Sequence, residues 1–261
     1  MRLHAGCELL FEATGPSSLI LMLRPRSGLG QSVVIENNIC KPDLESKDFI
    51  DVNGNLCQRV VTDKGSCRIE STVVVDTTDY FDVAPGAAFV PVHDLPVSAL
   101  PFLLPSRYCQ SDLFREFAQK ITQGKVDGYD QVEAIRSWIY ANIEYRYGSS
   151  SASTSAIDTF HARVGVCRDS VHLGIALCRG LSIPARMVVG YLHKLEPMDL
   201  HAWFEAYVGG RWYTFDATQA QPVGSRIAIG YGRDAADVAL ATQYGPINLT
   251  EMRVWVHAAK S

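Results

Sequence analysis

The sequence predicts an α+β protein: an N-terminal antiparallel β-sandwich, followed by a domain in which helices pack on an antiparallel sheet. Three observations carry this prediction. Residues 1–80 are a succession of short strand-like runs separated by turn residues, the pattern of a sandwich. Between 111 and 143 the apolar residues change to helical spacing. From 167 to 218 a helical run precedes two alternating segments joined by Gly209-Gly210, a strong hairpin signal.

In chain order, the first domain (1–80) contains the runs CELLFEA, SLILMLRP, SVVIENNI, QRVVTD and SCRIESTVVVDTT, with Asn53-Gly54 and Lys64-Gly65 marking turns. It has no catalytic constellation and reads as a scaffold or substrate-docking module. Residues 81–108 hold Pro85, Pro91, Pro96, Pro101 and Pro105, which interrupt any helix or central strand. This segment is too apolar for a loose tether and is expected to run extended across the second domain. That domain takes residues 109–261. Ser111-Asp112 caps a helix to about Gly124. Asp127 or Asp130 starts another, with Val132, Ile135, Trp138, Ile139 and Ile143 on its buried face. Residues 148–155, GSSSASTS, form a connector or a cleft rim. Near the C-terminus, LTEMRVWVH reads as a strand.

Bulk properties narrow the function classes. With 261 residues, 47% hydrophobic and 20% charged, the chain can bury a full core. A net charge of −4 leaves no electrostatic footprint for nucleic acid. No apolar run nears the roughly 20 residues of a membrane-spanning helix. The opening MRLHAGCELLFEATG carries acids within its apolar part, unlike a signal peptide. Cys7, Cys40, Cys57, Cys67, Cys109, Cys167 and Cys178 are odd in number and lack CxxC spacing. They are expected as free thiols in a reducing cytoplasm, with no metal or cofactor attached.

One of those thiols is different in context. Cys167 follows a Gly-Val turn and opens a run in which Val171, Ile175, Cys178 and Leu181 recur at helical spacing. In the first turn it faces unpaired backbone N–H groups and the positive end of the helix dipole, which favour thiolate. Two further candidates lie in the hairpin. If Gly209 and Gly210 form a two-residue loop, Val208 pairs with Arg211 and Trp203 with Asp216. Asp216 then lies diagonal to His201 on one face, roughly 7–8 Å away between backbones. Ala202, Phe204, Ala206, Tyr213 and Phe215 take the opposite, core-facing side. Glu205 shares the His201 face and competes with Asp216 as its partner. His172, His161 and His193 have no partner pattern. Asp169 suits the helix dipole alone, and Asp234 and Asp237 suit a cap or an ion pair better than a metal.

GVCRD, IPAR, VVGY, HAWFE and FDAT occur in this order across residues 165–218. On these pieces the chain resembles the transglutaminase-like superfamily, in its bacterial cysteine-protease-like branch. The β-domain, LLPSRY and GRDAADVA extend the similarity over nearly the whole chain. FDAT departs at Ala217, where many relatives have Pro. The resemblance implies a papain-like core (motif residues 155–220) and a catalytic triad of Cys167, His201 and Asp216, the acid coming from the second strand. It also implies that Tyr145 or Tyr147 helps bind an oxyanion beside the Cys167 amide. The expected activity is hydrolysis of an amide bond in a peptide or protein through a thioester. Acyl transfer to an amine and non-catalytic peptide binding are the alternatives. No G-x-S-x-G supports a serine hydrolase.

Overall fold

The computed structural model describes residues 1–28, 30–221 and 223–259. The alternation in residues 1–80 becomes strands β1 (Arg2–Ala13), β2 (Ser17–Leu21), β3 (Gln31–Lys41), β4 (Ser46–Ile50), β5 (Leu56–Thr62) and β6 (Gly65–Thr77). Along β1, Leu3, Ala5, Cys7, Leu9 and Phe11 are buried, and Cys67, Ile69, Val73 and Val75 of β6 meet them from the neighbouring strand. Each large side chain so buried contributes roughly 1.5–3 kcal/mol. β4 is absent from the sequence reading because SKDFI is exposed at every position and has no apolar alternation.

Residues 81–108 do cross the second domain, but not as a plain extended strand. They wind into short 3₁₀ turns at Val92–Asp94 and Val97–Leu103. Leu95, Ala99 and Phe102 are buried, with Phe102 edge-on to Trp212 at 5.4 Å. Beyond them come α1 (Arg115–Ile121), α2 (Tyr129–Asn142), β7 (Glu144–Tyr145), α3 (Ala156–Ala162), β8 (Val164–Gly165) and α4 (Cys167–Gly180). Strands β9 (Ala185–Leu192), β10 (Leu200–Val208), β11 (Arg211–Phe215) and β12 (Arg226–Gly232) then form an antiparallel sheet in the order β11-β10-β9-β12. From Asp169 to Arg179 every residue of α4 is buried, so this helix is the centre of the domain. It packs on the sheet so closely that a Cβ on Gly174 would stand 2.8 Å from the Phe204 ring.

The last two strands require a correction to the domain boundary. β13 (Ala241–Tyr244) pairs with β2 and β14 (Ile247–Ala258) pairs with β1, giving sandwich sheets β14-β1-β6-β3 and β13-β2-β5-β4. The boundary of 109–261 therefore includes about twenty residues that belong with the N-terminal sandwich. Strand character is local and legible, whereas the identity of a distant partner is not. The two units meet at the free edge of β12. There the side-chain amide of Gln31 pairs with the N and O of Ala228, both at 2.8 Å. That of Asn55 pairs with the N and O of Tyr231, both at 3.0 Å. Two amide side chains so complete an edge that would otherwise present unpaired backbone groups.

Candidate active site

The hairpin fixes two of the candidate residues. Gly209 and Gly210 have φ of 57° and 84°, the positive values that a two-residue turn of this hand requires. The register follows: Val208 opposite Arg211, Ala206 opposite Tyr213, Phe204 opposite Phe215. Phe204 and Phe215 stack on the α4 side at 5.6 Å. His201 and Asp216, both buried, meet with Nε2 and Oδ2 2.8 Å apart. The other carboxylate oxygen accepts from Thr218 N at 3.0 Å and Thr218 Oγ1 at 2.7 Å.

Cys167 is the first residue of α4 and is half-buried, packed against the core. Its turn is held by Asp169, which is fully buried and accepts from Val166 N at 2.9 Å and Ser150 Oγ at 2.8 Å. Asp169 is therefore a cap and a loop anchor, more than the dipole alone accounts for. Arg168 adds Nη2 bonds to Ser150 Oγ and, at 2.6 Å, to Ser151 O, so the serine-rich stretch is fastened to the start of α4.

The electrostatics of His201 and Asp216 are mutually dependent. Burial disfavours charge on His201, but the Asp216 hydrogen bond, contact with Cys167 and the charges of both raise its pKa to about 9. Burial also disfavours charge on Asp216, yet His201, Arg226 and Thr218 together hold its carboxyl well below the usual carboxylate range. Glu205, the competing partner, lies with Arg186 instead, accepting from Nε at 2.7 Å. Arg186 is itself held between the Trp212 and Tyr231 rings, each at 4.3 Å.

Tyr145 pairs with Gly165 across β7 and β8, two residues before Cys167. Although Tyr145 is exposed, partial desolvation, the charge of Cys167 and the neighbouring Tyr147 push its phenol far above the ordinary range, so it stays a proton donor. The Tyr147 ring lies edge-on at 5.4 Å. His172 is buried and stacks on Tyr108 at 5.0 Å, with Nε2 accepting from Ala235 N. Asp234 accepts from Tyr108 N and Ala236 N, and Asp237 pairs with Arg233; among the described residues no group of acids, histidines or cysteines could hold a metal.

Two residues at the site escape sequence reasoning. Arg226 donates to Asp216 Oδ2 at 2.8 Å from the start of β12, in a GSRIAIG context with no motif to mark it. Asp199 lies two residues before His201, its Oδ1 accepting from Leu200 N at 2.7 Å. Burial raises its pKa against the pull of that amide and of His201.

The fold that carries these residues has counterparts among known proteins. The sequence profile of the transglutaminase-like superfamily matches residues 115–217. The crystal structure of a candidate cysteine protease from Cytophaga hutchinsonii superposes with a TM-score of 0.93. At 39% identity it covers 100% of this chain and 91% of that one. An uncharacterised protein of Mycobacterium leprae is 27% identical over 233 residues, 83% of this chain and 82% of its own length. One from Mycobacterium tuberculosis is 34% identical over 143 residues, 49% of this chain and 46% of its own length.

Proposed function

The chain belongs to the transglutaminase-like superfamily, and from that premise we propose that it is a cysteine-dependent peptidase or amidase acting through Cys167, His201 and Asp216. The observation that carries this is the buried 2.8 Å bond between Asp216 and His201 Nε2, which leaves Nδ1 for the Cys167 sulfur. With its pKa near 9, the imidazole holds a proton at neutral pH, as a thiolate–imidazolium pair requires.

In this mechanism the thiolate attacks the amide carbon, and the C–S bond forms as the carbonyl oxygen becomes an oxyanion. The Cys167 backbone N–H and the Tyr145 hydroxyl donate to that oxygen. His201 passes its proton to the amine as the C–N bond breaks, leaving a thioester. It then removes a proton from water, whose attack on the thioester releases the acid. That proton returns to the Cys167–His201 pair. Asp216 keeps the ring oriented throughout without accepting the proton itself. Cys167 thus does the covalent work, while Asp216 orients the imidazole and stabilises its protonated form.

The test is to incubate the protein with a peptide mixture and a primary amine in ¹⁸O-water, followed by mass spectrometry. The expected result is new ¹⁸O-labelled C-termini, absent with Cys167→Ala. Predominant amine adducts would make the protein an acyl transferase instead. Neither product, together with an unreactive Cys167, would exclude both.

A further inference from the structure

We infer that Arg226 is a positioning residue for this triad, and that the segment leaving the β-sandwich, through Phe81, holds it in place. The inference rests on the triad reading above. It assigns the sandwich a part in the active site, beyond the scaffold or docking role that its sequence suggests.

Arg226 Nη2 and His201 Nε2 both bond the same oxygen, Asp216 Oδ2, each at 2.8 Å. The second oxygen is occupied by Thr218. Arg226 and the imidazolium therefore share the charge of one buried carboxylate. Only about a tenth of the Arg226 side chain is exposed, and its Nε has no acceptor among the described residues. Its remaining contacts are weaker: Nη1 to Gly224 O at 3.2 Å and Nη2 to Gln219 Oε1 at 3.4 Å. A buried ion pair of this kind is a poor source of stability compared with an apolar replacement. Its distinctive effect is on the shared carboxylate.

The segment leaving the sandwich supplies the cover. Phe81, just beyond β6, lies over the guanidinium at 4.3 Å, with Trp203 at 5.6 Å. Thr77 Oγ1, at the end of β6, donates to Arg226 O at 2.8 Å. Phe81, Trp203, Ser225 and Arg226 together line a cavity of about 330 Å³ between the two units. Removing the Phe81 ring would open the guanidinium to that space and weaken its hold on Asp216 by hydration.

The consequence has a definite sign. With Arg226 present, Oδ2 divides its charge between two cations. Without it, Asp216 binds the imidazolium alone and more tightly. His201 then releases its proton at higher pH and donates less readily to a leaving amine.

The test is a pH titration of the His201 imidazole by NMR on the full chain, its resonance assigned by loss in His201→Asn. Arg226→Gln should raise the midpoint by about 1 pH unit. Arg226→Lys, which keeps the charge, should restore it most of the way. Phe81→Ala should shift it upward by a smaller amount, while Asp216→Asn should move it down. An unchanged midpoint in Arg226→Gln, whatever its melting temperature, would reduce Arg226 to a scaffold residue and overturn the inference. If Arg226→Gln does not fold, an unchanged midpoint in Phe81→Ala does the same. If Cys167→Ala leaves the His201 titration untouched, the triad reading itself fails, independently of Arg226.

Discussion

Replacing Asp216 by Asn separates orientation from bulk. Asp216 is fully buried, and all its partners are donors: His201 Nε2 and Arg226 Nη2 on one oxygen, Thr218 N and Oγ1 on the other. Asn keeps one acceptor and turns the other into an NH₂ donor. If its oxygen faces Arg226, its NH₂ faces Thr218, whose hydroxyl can rotate to accept but whose backbone N–H cannot. Arg226 also loses its only carboxylate partner among the described residues. Breaking a buried ion pair costs about 3–5 kcal/mol, and the retained hydrogen bond places this case near the lower end. That same oxygen can still accept from His201 Nε2 but no longer carries a charge, so the imidazolium loses its anionic partner and turnover should fall by up to roughly 10⁴-fold. Glu205→Gln is the matched control. It weakens a pair with Arg186 that the Trp212 and Tyr231 rings also hold, and should leave turnover within a few-fold. The assay is peptide hydrolysis on variants with matched circular dichroism, alongside thermal melts. If Glu205→Gln abolishes turnover while Asp216→Asn keeps most of it, the assignment of the acid is wrong.

Three further outcomes follow from other parts of the molecule. His201 has a folded pKa near 9, raised above its unfolded value of about 6.5. Its contribution to stability is therefore complete below pH 6.5 and is lost as pH rises to 9, about 3 kcal/mol by linkage. Urea melts of the wild type should lose this stability over that range, and those of His201→Asn should not. Gly174→Ala gains up to about 1 kcal/mol of helix propensity. It also brings a methyl 2.8 Å from the buried Phe204 ring, an overpacking that costs roughly 1–3 kcal/mol. A lowered melting temperature is expected, and a raised one would show that α4 has slack against the sheet. Deleting residues 241–261 removes β13 and β14 and strips β1 and β2 of a neighbour. The protein should then fail to give a cooperative melt although every candidate site residue remains, whereas an unchanged melt would show that these strands are dispensable.

The site was legible to the extent that its parts are local. Helix period and a Gly-Val turn place Cys167, and a two-glycine loop sets the register that puts His201 and Asp216 on one face. What could not be read depends on long-range pairing. Nothing in LTEMRVWVH says that its partner is a strand more than two hundred residues away. Nothing in GSRIAIG says that its arginine reaches the acid of the hairpin. β4 escaped for a different reason, since a strand exposed on both faces has no hydrophobic period to detect. Glu205 and Asp216 were equivalent on the pattern of the hairpin. The structure separates them: Asp216 bonds His201, and Glu205 is taken by Arg186 opposite it on the neighbouring strand β9.

The central claim is that Cys167 is an activated nucleophile, and site-resolved alkylation tests it most directly. Burial pushes the thiols of Cys7 and Cys57 up to about 11 and that of Cys109 up to about 12, and raises those of Cys40, Cys67 and Cys178 as well. Cys167 is half-buried at a helix N-terminus and in contact with His201. Brief exposure of the folded protein to iodoacetamide at pH 6, followed by peptide mass spectrometry, should yield one adduct, on Cys167, formed much more slowly in His201→Asn. Modification of Cys40 or any other thiol ahead of Cys167, or a Cys167 rate indifferent to the loss of His201, would contradict the account.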